Sequence, residues 1–215
     1  MPDDTILDDA IRDEGELRAL FGRPHALAVR KSLPRLDHYC RDFIALSPFL
    51  CIGTTGADGR ADVSPRGDPA PFVQVLDDRT LVIPDRPGNN RLDTLVNIVE
   101  NPAVALIFFI PGFEDTLRVN GKATIVRNPE LLRRAEINGR QPKVAIRVVV
   151  EEAFLHCAKA LKRSKLWDPT SQLDRKTLPS LGRMILEQTC DAGPDEATVA
   201  AADADIEQDY KTGLY

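Results

Sequence analysis

The sequence predicts a single domain that is mainly β, with helices flanking the strands. Three observations support this fold class. The chain has 215 residues, a length that all-β barrels of one domain commonly reach. Its middle part contains short apolar or β-branched runs separated by turn residues, and apolar residues at helical spacing flank these runs on both sides. We therefore expect N-terminal helices over residues 1–47, a strand region over 48–155 and a C-terminal helical extension over 156–215.

Two amphipathic helices are predicted before the first strand, over residues 5–21 and 36–46, because apolar side chains recur there at helical spacing. The strands begin with residues 49–55. Asp58-Gly59 predicts a hairpin turn, since both positions tolerate a positive φ. Pro65 in the next strand cannot donate a ladder hydrogen bond, so we expect this strand to bend, bulge or run along an edge.

The rest of the chain mixes strands and helices. Residues 89–101 predict a helix whose N-terminal cap is Gly88-Asn89-Asn90. Such a helix start favours anions through its free amides and its dipole. The remaining predicted elements are strands over residues 80–84, 103–110, 116–126 and 143–154, and helices over 129–137, 156–167, 178–188 and after Gly193-Pro194.

The composition indicates a globular protein, with 43% hydrophobic and 28% charged residues. A net charge of −5 argues against nucleic-acid binding, which requires a basic face. The four cysteines form no C-x-x-C pair, so we expect reduced thiols and no metal site. The N-terminus lacks the pattern of a signal peptide, and no run approaches the ~20 apolar residues of a membrane helix. A soluble, cytoplasmic protein is expected.

Residues 58–91 predict a binding site for an anionic ligand. Two strands would bring hydroxyl, amide and guanidinium donors to one region, and all three suit an oxyanion such as phosphate. The sequence has no P-loop, no dinucleotide fingerprint and no G-x-S-x-G nucleophile elbow, so the common phosphate and hydrolase motifs do not explain this run. The donors are Ser64, Arg66, Asn89, Asn90 and Arg91.

The same run resembles the pyridoxamine 5'-phosphate oxidase-like flavoproteins, the FMN-binding split β-barrel family. The branch in question carries Ser-Pro-Arg-Gly-Asp, here residues 64–68, followed by Ile-Pro-Asp-Arg-Pro-Gly-Asn-Asn-Arg, here residues 83–91. Residues 101–102, 114–121 and 156–167 also match, so the resemblance spans roughly residues 38 to 170. It implies a homodimeric split β-barrel that holds FMN in the crevice between the subunits.

The resemblance also implies roles for individual residues. The helix start reads Asn-Asn-Arg where the pyridoxamine phosphate oxidases proper carry Ser-Arg-Lys, and nothing after residue 170 matches their grip on the substrate. The implied cofactor residues are Val63, Ser64, Pro65 and Arg66 beside the flavin, Pro84 and Asp85 above its phosphate, Asn89, Asn90 and Arg91 at the phosphate-binding helix start, and Thr116 as a polar contact.

Three residues with a four-residue spacing, Lys159, Arg163 and Trp167, are predicted to share one helix face. In one interpretation this face lies at the flavin edge of the partner subunit, where a cation stabilises the reduced ring. In the other, Trp167 packs as a core aromatic and the two cations are solvated.

The resulting prediction is an FMN-dependent oxidoreductase that passes hydride between the flavin and a nicotinamide or a small conjugated substrate. Two alternatives stay open, a non-catalytic flavin-binding protein for storage or sensing and a deazaflavin-dependent reductase. No side chain is identified as a catalytic acid or base, and the substrate is not assigned.

Overall fold

The structure is a computed structural model that describes residues 10–190 and 193–215. It divides into two units, one ending at Ser32 and one from Leu33 to Tyr215. The first unit contains α1 (Glu14–Phe21) and α2 (Ala26–Arg30). The helix predicted over residues 5–21 begins at Glu14 because Asp13 caps it by accepting the N–H of Glu16, and residues 5–9 lie outside the described residues.

The second unit contains the strands and the remaining helices. They are accompanied by two single 3₁₀ turns, Pro169–Ser171 and Arg175–Thr177. The elements are α3 (His38–Leu46), β1 (Phe49–Thr55), β2 (Ala61–Gly67), β3 (Gln74–Val75), β4 (Thr80–Pro84), α4 (Asp93–Glu100), β5 (Ala103–Phe109), β6 (Thr116–Val126), α5 (Pro129–Arg134), β7 (Ala145–His156), α6 (Lys159–Ser164), α7 (Leu181–Thr189) and α8 (Glu196–Thr212).

The seven described strands form one antiparallel sheet in the order β2-β1-β5-β6-β7-β4-β3. The predicted hairpin at Asp58-Gly59 is confirmed, since β1 and β2 pair and Gly59 has a φ of 81°. β2 lies at an edge of the sheet, which explains how it tolerates Pro65. The ladder between β6 and β7 shifts register at Gly121, where an added Cβ would lie 2.1 Å from the carbonyl oxygen of Val149.

The core lies between the sheet and two helices. Alternate residues of the central strands are buried, as in β5, where Leu106 and Phe108 are buried while Ile107 and Phe109 are half-exposed. Helix α3 adds Ile44 to the same apolar cluster. The fold class predicted from the sequence, mainly β with flanking helices, is therefore confirmed. None of the helices in the described part of the chain combines the length and apolarity that a membrane span needs.

Three further helices begin later than predicted, and one of them, predicted over residues 178–188, begins at Leu181, after its N-cap Ser180. Helix α4 begins at Asp93 rather than Asn89, and its N-cap is Leu92 in the left-handed region. The reason is a turn before the helix, in which Asn89 Oδ1 accepts the N–H of Arg91 at 3.1 Å. The helix predicted over residues 156–167 begins only at Lys159, because the β6–β7 pairing continues to His156.

Candidate functional site

A cavity of about 970 Å³ lies beside β2 and the N-terminus of α4. This size is within the range of about 300–1,000 Å³ that is usual for small-molecule sites. Its walls come from residues 62–66, 85–95 and 140–144 and from Tyr215. We call it the first cavity. Its charged lining residues are Arg66, Arg86, Arg91, Arg140 and Lys143 against Asp62, Asp85 and Asp93.

The first cavity is thus basic in a chain whose net charge is −5. Cations concentrated in a cleft attract an anionic ligand more strongly than the same charges spread over a surface. The predicted anion site therefore coincides with a real concave site. Of the predicted residues, eight line this cavity: Val63, Ser64, Pro65, Arg66, Asp85, Asn89, Asn90 and Arg91.

Arg66 is the central donor of this site. Because side chains alternate along a strand, β2 places Ser64 and Arg66 on one half-buried face. Arg66 Nη1 donates to Ser64 Oγ at 2.9 Å, and Nη2 lies 3.7 Å from Asp85 Oδ1. Its Nε is buried and has no hydrogen-bond partner among the described residues. A buried donor without a partner costs about 1–3 kcal/mol, so a ligand that accepts from it gains that energy back.

Asp85 is the acidic neighbour of Arg66 in the first cavity. Burial raises the pKa of Asp85, and the positive charge of Arg66 lowers the pKa by a smaller amount. The side chains are 22% exposed for Arg66 and 20% exposed for Asp85. The closest Asp85 oxygen lies 3.7 Å from Arg66 Nη2, beyond hydrogen-bond distance, so Asp85 does not use the donor capacity of the guanidinium. The guanidinium keeps attraction for a second anion.

The turn before α4 supplies further donors. Asn89, Asn90 and Arg91 are exposed and line the first cavity. Arg91 Nε donates to Asp93 Oδ2 at 2.8 Å. No side chain caps the N-terminus of α4, and its first turn lines the same cavity. Free N–H groups at a helix N-terminus bind anions, so this end suits a phosphate even though the turn differs from the predicted cap.

A second cavity of about 840 Å³ adjoins the first and shares Pro65, Arg66, Arg86, Pro87, Gly88, Asn89 and Tyr215 with it. Pro84, a predicted cofactor residue, lines only this second cavity. Between the two cavities lies an ion pair in which Arg86 Nε is 2.6 Å from Asp68 Oδ2. The Tyr215 hydroxyl donates to Asp68 Oδ1 at 2.9 Å, and this bond raises the pKa of Tyr215.

Asp68 and Arg86 were not among the predicted site residues, although both lie within the motifs quoted above. Their pairing was not readable from the sequence because 18 positions separate them, and Tyr215 lies 147 positions beyond Asp68. One sequence feature could have indicated the pair: Asp68 ends the first quoted motif just after β2, and Arg86 lies in the second quoted motif just after β4.

Four predicted residues lie outside both cavities: Thr116, Lys159, Arg163 and Trp167. Thr116 is buried at the start of β6 and pairs with His156. Lys159 and Arg163 are exposed on α6. Trp167 lies beyond the end of that helix, where its Nε1 donates to the carbonyl oxygen of Phe113 at 2.7 Å. Within one chain, these residues do not join the site, and their flavin contact stays a prediction.

Within the described residues, no group of three or more His, Cys, Asp or Glu side chains is placed to hold a metal ion. Arginine, amide and helix N–H groups together favour a phosphate-bearing ligand.

Comparison with known proteins identifies the family to which the chain is similar. A family model described as pyridoxamine 5'-phosphate oxidase matches residues 36–157, more than half of the chain. No curated protein matches the sequence.

Solved structures with a similar fold include HupZ from Group A Streptococcus, which has 19% identity and a TM-score of 0.47 and covers 56% of this chain and 93% of its own. An FAD binding protein from Mycobacterium smegmatis has 21% identity and a TM-score of 0.41, covering 58% of this chain and 97% of its own. A structure named F420 reductase has 20% identity and a TM-score of 0.39, covering 54% of this chain and 94% of its own.

Proposed function

Because this chain belongs to the pyridoxamine 5'-phosphate oxidase family, we propose that it is an FMN-dependent oxidoreductase. The observation that carries the proposal is the state of Arg66 in the basic first cavity. Its guanidinium is largely buried, its Nε has no partner among the described residues, and the nearest oxygen of its neighbour Asp85 lies 3.7 Å away, beyond hydrogen-bond distance. An anionic ligand completes this arrangement, and the flavin phosphate is the anion that the family membership suggests.

The residues of the first cavity fit FMN. A phosphate carries about −1.5 to −2 charges and accepts several hydrogen bonds. Arg66 and Arg91 would hold it electrostatically, while Ser64, the Asn89-Asn90 amides and the N–H groups of α4 would complete its hydrogen bonds. When bound, FMN supplies the hydride chemistry, and the protein supplies orientation and electrostatics.

Ring binding is supported by apolar surface next to the donors. Val63 is 70% exposed on the other face of β2 from Arg66 and lines the first cavity. Leu92, 51% exposed, also lines it. Both side chains therefore offer apolar surface to a ligand that occupies the first cavity. We assign them to the flavin ring and to the edge of a homodimer interface.

A homodimer would also bring the α6 residues into use. Lys159 and Arg163 are exposed cations that lie outside both cavities of their own chain. In the proposed dimer, α6 of one subunit reaches the flavin of the other, where Arg163 or Lys159 stabilises the negative charge of the reduced ring. Trp167 would lie beside the same ring edge.

The experiment is a spectrum of the purified protein, followed by denaturation and mass spectrometry of the released ligand. The expected result is a yellow protein that releases FMN. A released deazaflavin would redirect the proposal to a deazaflavin-dependent reductase. A colourless protein that also takes up no added FMN would contradict flavin binding altogether.

One observation favours a second candidate, a non-catalytic flavin-binding protein. The described lining residues of the first cavity include no histidine and no cysteine, and two of its three carboxylates, Asp85 and Asp93, lie within 4 Å of arginines. Reduction of the bound flavin by NADH or NADPH, with reoxidation at a catalytic rate, distinguishes the two functions. A flavin that binds tightly yet stays oxidised with both donors would favour storage or sensing.

A further inference from the structure

The second cavity differs from the first in both its walls and its charge. Aromatic and other apolar side chains form much of it: Phe72, Tyr210, Leu214 and Tyr215, with Pro65, Pro84 and Pro87. Its charged residues are Arg66 and Arg86 against Asp68 and Asp209, which sum to zero. Such a cavity suits a flat apolar molecule better than a second phosphate group.

Arg86 is the residue in the second cavity whose position and free donor groups suit the binding of an anion. Its side chain is 15% exposed, and Asp68, 1% exposed, accepts from its Nε. Asp68 is the only described residue to which Arg86 donates, so Nη1 and Nη2 keep their donor capacity. Two parallel N–H groups at the end of a guanidinium match the two oxygens of a carboxylate.

Two groups hold Arg86 in this orientation. Asp68 is fixed in turn by the Tyr215 hydroxyl at 2.9 Å, and the Tyr215 ring lies 5.2 Å below the guanidinium carbon. Tyr215 thus contacts both partners of this largely buried ion pair, Asp68 through its hydroxyl and Arg86 through its ring. A buried pair of this kind is weak support for stability, and its geometry is better explained by the need to position Arg86.

We propose that the second cavity binds a small aromatic carboxylate, that Arg86 binds its carboxylate group, and that Asp68 and Tyr215 are positioning residues. This inference rests on the proposed function, because the molecule would be the substrate that meets the flavin across the wall shared by the two cavities. The choice of a monoanion follows from the charged side chains of the lining, which sum to zero. One carboxylate can pair with the guanidinium of Arg86, whereas the second charge of a phosphate dianion would need a further cation.

The test uses isothermal titration calorimetry on protein saturated with FMN, with three probes of similar shape: benzoate, its neutral counterpart benzyl alcohol, and phenyl phosphate. Benzoate is expected to bind saturably and more tightly than either of the others. Equal affinity for benzoate and benzyl alcohol, tighter binding of phenyl phosphate, or no binding of benzoate would each overturn the proposal.

Variants then assign the carboxylate contact. Arg86→Met should weaken benzoate at least about tenfold, the loss of one charge-assisted contact, with the affinity for benzyl alcohol unchanged. Because this variant leaves the carboxylate of Asp68 buried without its cation, Arg86→Lys is the second variant. It keeps a positive charge near Asp68 and removes the paired donors, so the same selective loss is expected. Undiminished benzoate affinity in a folded Arg86→Lys protein would overturn the assignment.

Tyr215→Phe tests the positioning role, since it keeps the ring and removes the bond to Asp68. Benzoate affinity should fall a few-fold while benzyl alcohol affinity stays the same, whereas a purely structural residue would change both. Arg60→Met is the matched control, because Arg60 Nε also pairs with an aspartate, Asp58, at 2.7 Å but is 89% exposed in the hairpin turn.

Separate FMN titrations distinguish this inference from the proposed function. If Arg86→Met loses FMN and benzoate together, Arg86 belongs to the cofactor site and the inference is wrong. If the wild-type protein binds benzoate but no flavin, the proposed function fails while the carboxylate site stands.

Discussion

Replacing Arg66 with alanine removes the donor on which the proposed FMN site depends. One charge-assisted contact to a largely buried anion contributes about 1.5–3 kcal/mol, which corresponds to roughly ten- to a hundredfold in affinity. The substitution also leaves the carboxylate of Asp85 in the cavity without the cation 3.7 Å away. That carboxylate then repels the phosphate, so we expect the loss to lie at the upper end of this range.

The assay compares FMN with riboflavin, which lacks the phosphate, by fluorescence titration. Arg66→Ala should weaken FMN strongly and riboflavin little. The double variant Arg66→Ala, Asp85→Asn should recover part of the loss, because it removes the repulsion but not the missing contact. Arg60→Ala is the control, since Arg60 is 89% exposed and lines neither cavity. Equal losses for the two flavins would refute the reasoning and place Arg66 at the ring or in the fold alone.

Three further outcomes are expected. Light scattering at micromolar concentration should give twice the mass of one chain, since the proposed flavin site takes α6 residues from a second subunit; a stable single-chain mass would contradict the dimer. Arg163→Ala should lower the flavin reduction potential without changing the melting temperature, measured against a redox dye, and an unaltered potential would return α6 to a structural role. Burial raises the pKa of Asp85 above its usual value of about 3.9. The native state therefore binds this proton more tightly than the unfolded state, and the resulting stability is complete below that value and lost as pH rises through the raised pKa. In denaturant titrations across this window, Asp85→Asn should lose less stability than wild type with rising pH, and parallel curves would show that Asp85 does not titrate there.

The sequence by itself determined the features that depend on neighbouring residues. Strand boundaries followed from apolar runs and turn residues, and the hairpin at Asp58-Gly59 followed from the tolerance of both positions for a positive φ. The donors Ser64 and Arg66 were expected in one region because both lie in the same short strand. Family motifs added the expectation of a flavin. All of these depend on local conformational preferences or short spacings, which a sequence displays directly.

Local hydrogen bonds limited even these predictions. The helix expected from Asn89 starts at Asp93 because the Asn89 side chain closes a turn on Arg91. Helical periodicity cannot show this, since apolar spacing continues through residues whose backbone is held by such a side-chain bond. The same limit applies to His156, where pairing with Thr116 extends β7 into a segment of helical pattern.

Only the tertiary structure decided which charges meet. Asp68, Arg86 and Tyr215 come together from the end of β2, the segment after β4 and the segment after α8, across 147 sequence positions between Asp68 and Tyr215. Burial likewise has no local signature, yet it encloses the Arg66 Nε without a hydrogen-bond partner among the described residues and raises the pKa of Asp85. The physical reason is that desolvation and ion pairing depend on everything packed around a group, whereas strand and turn preferences depend on the few residues beside it.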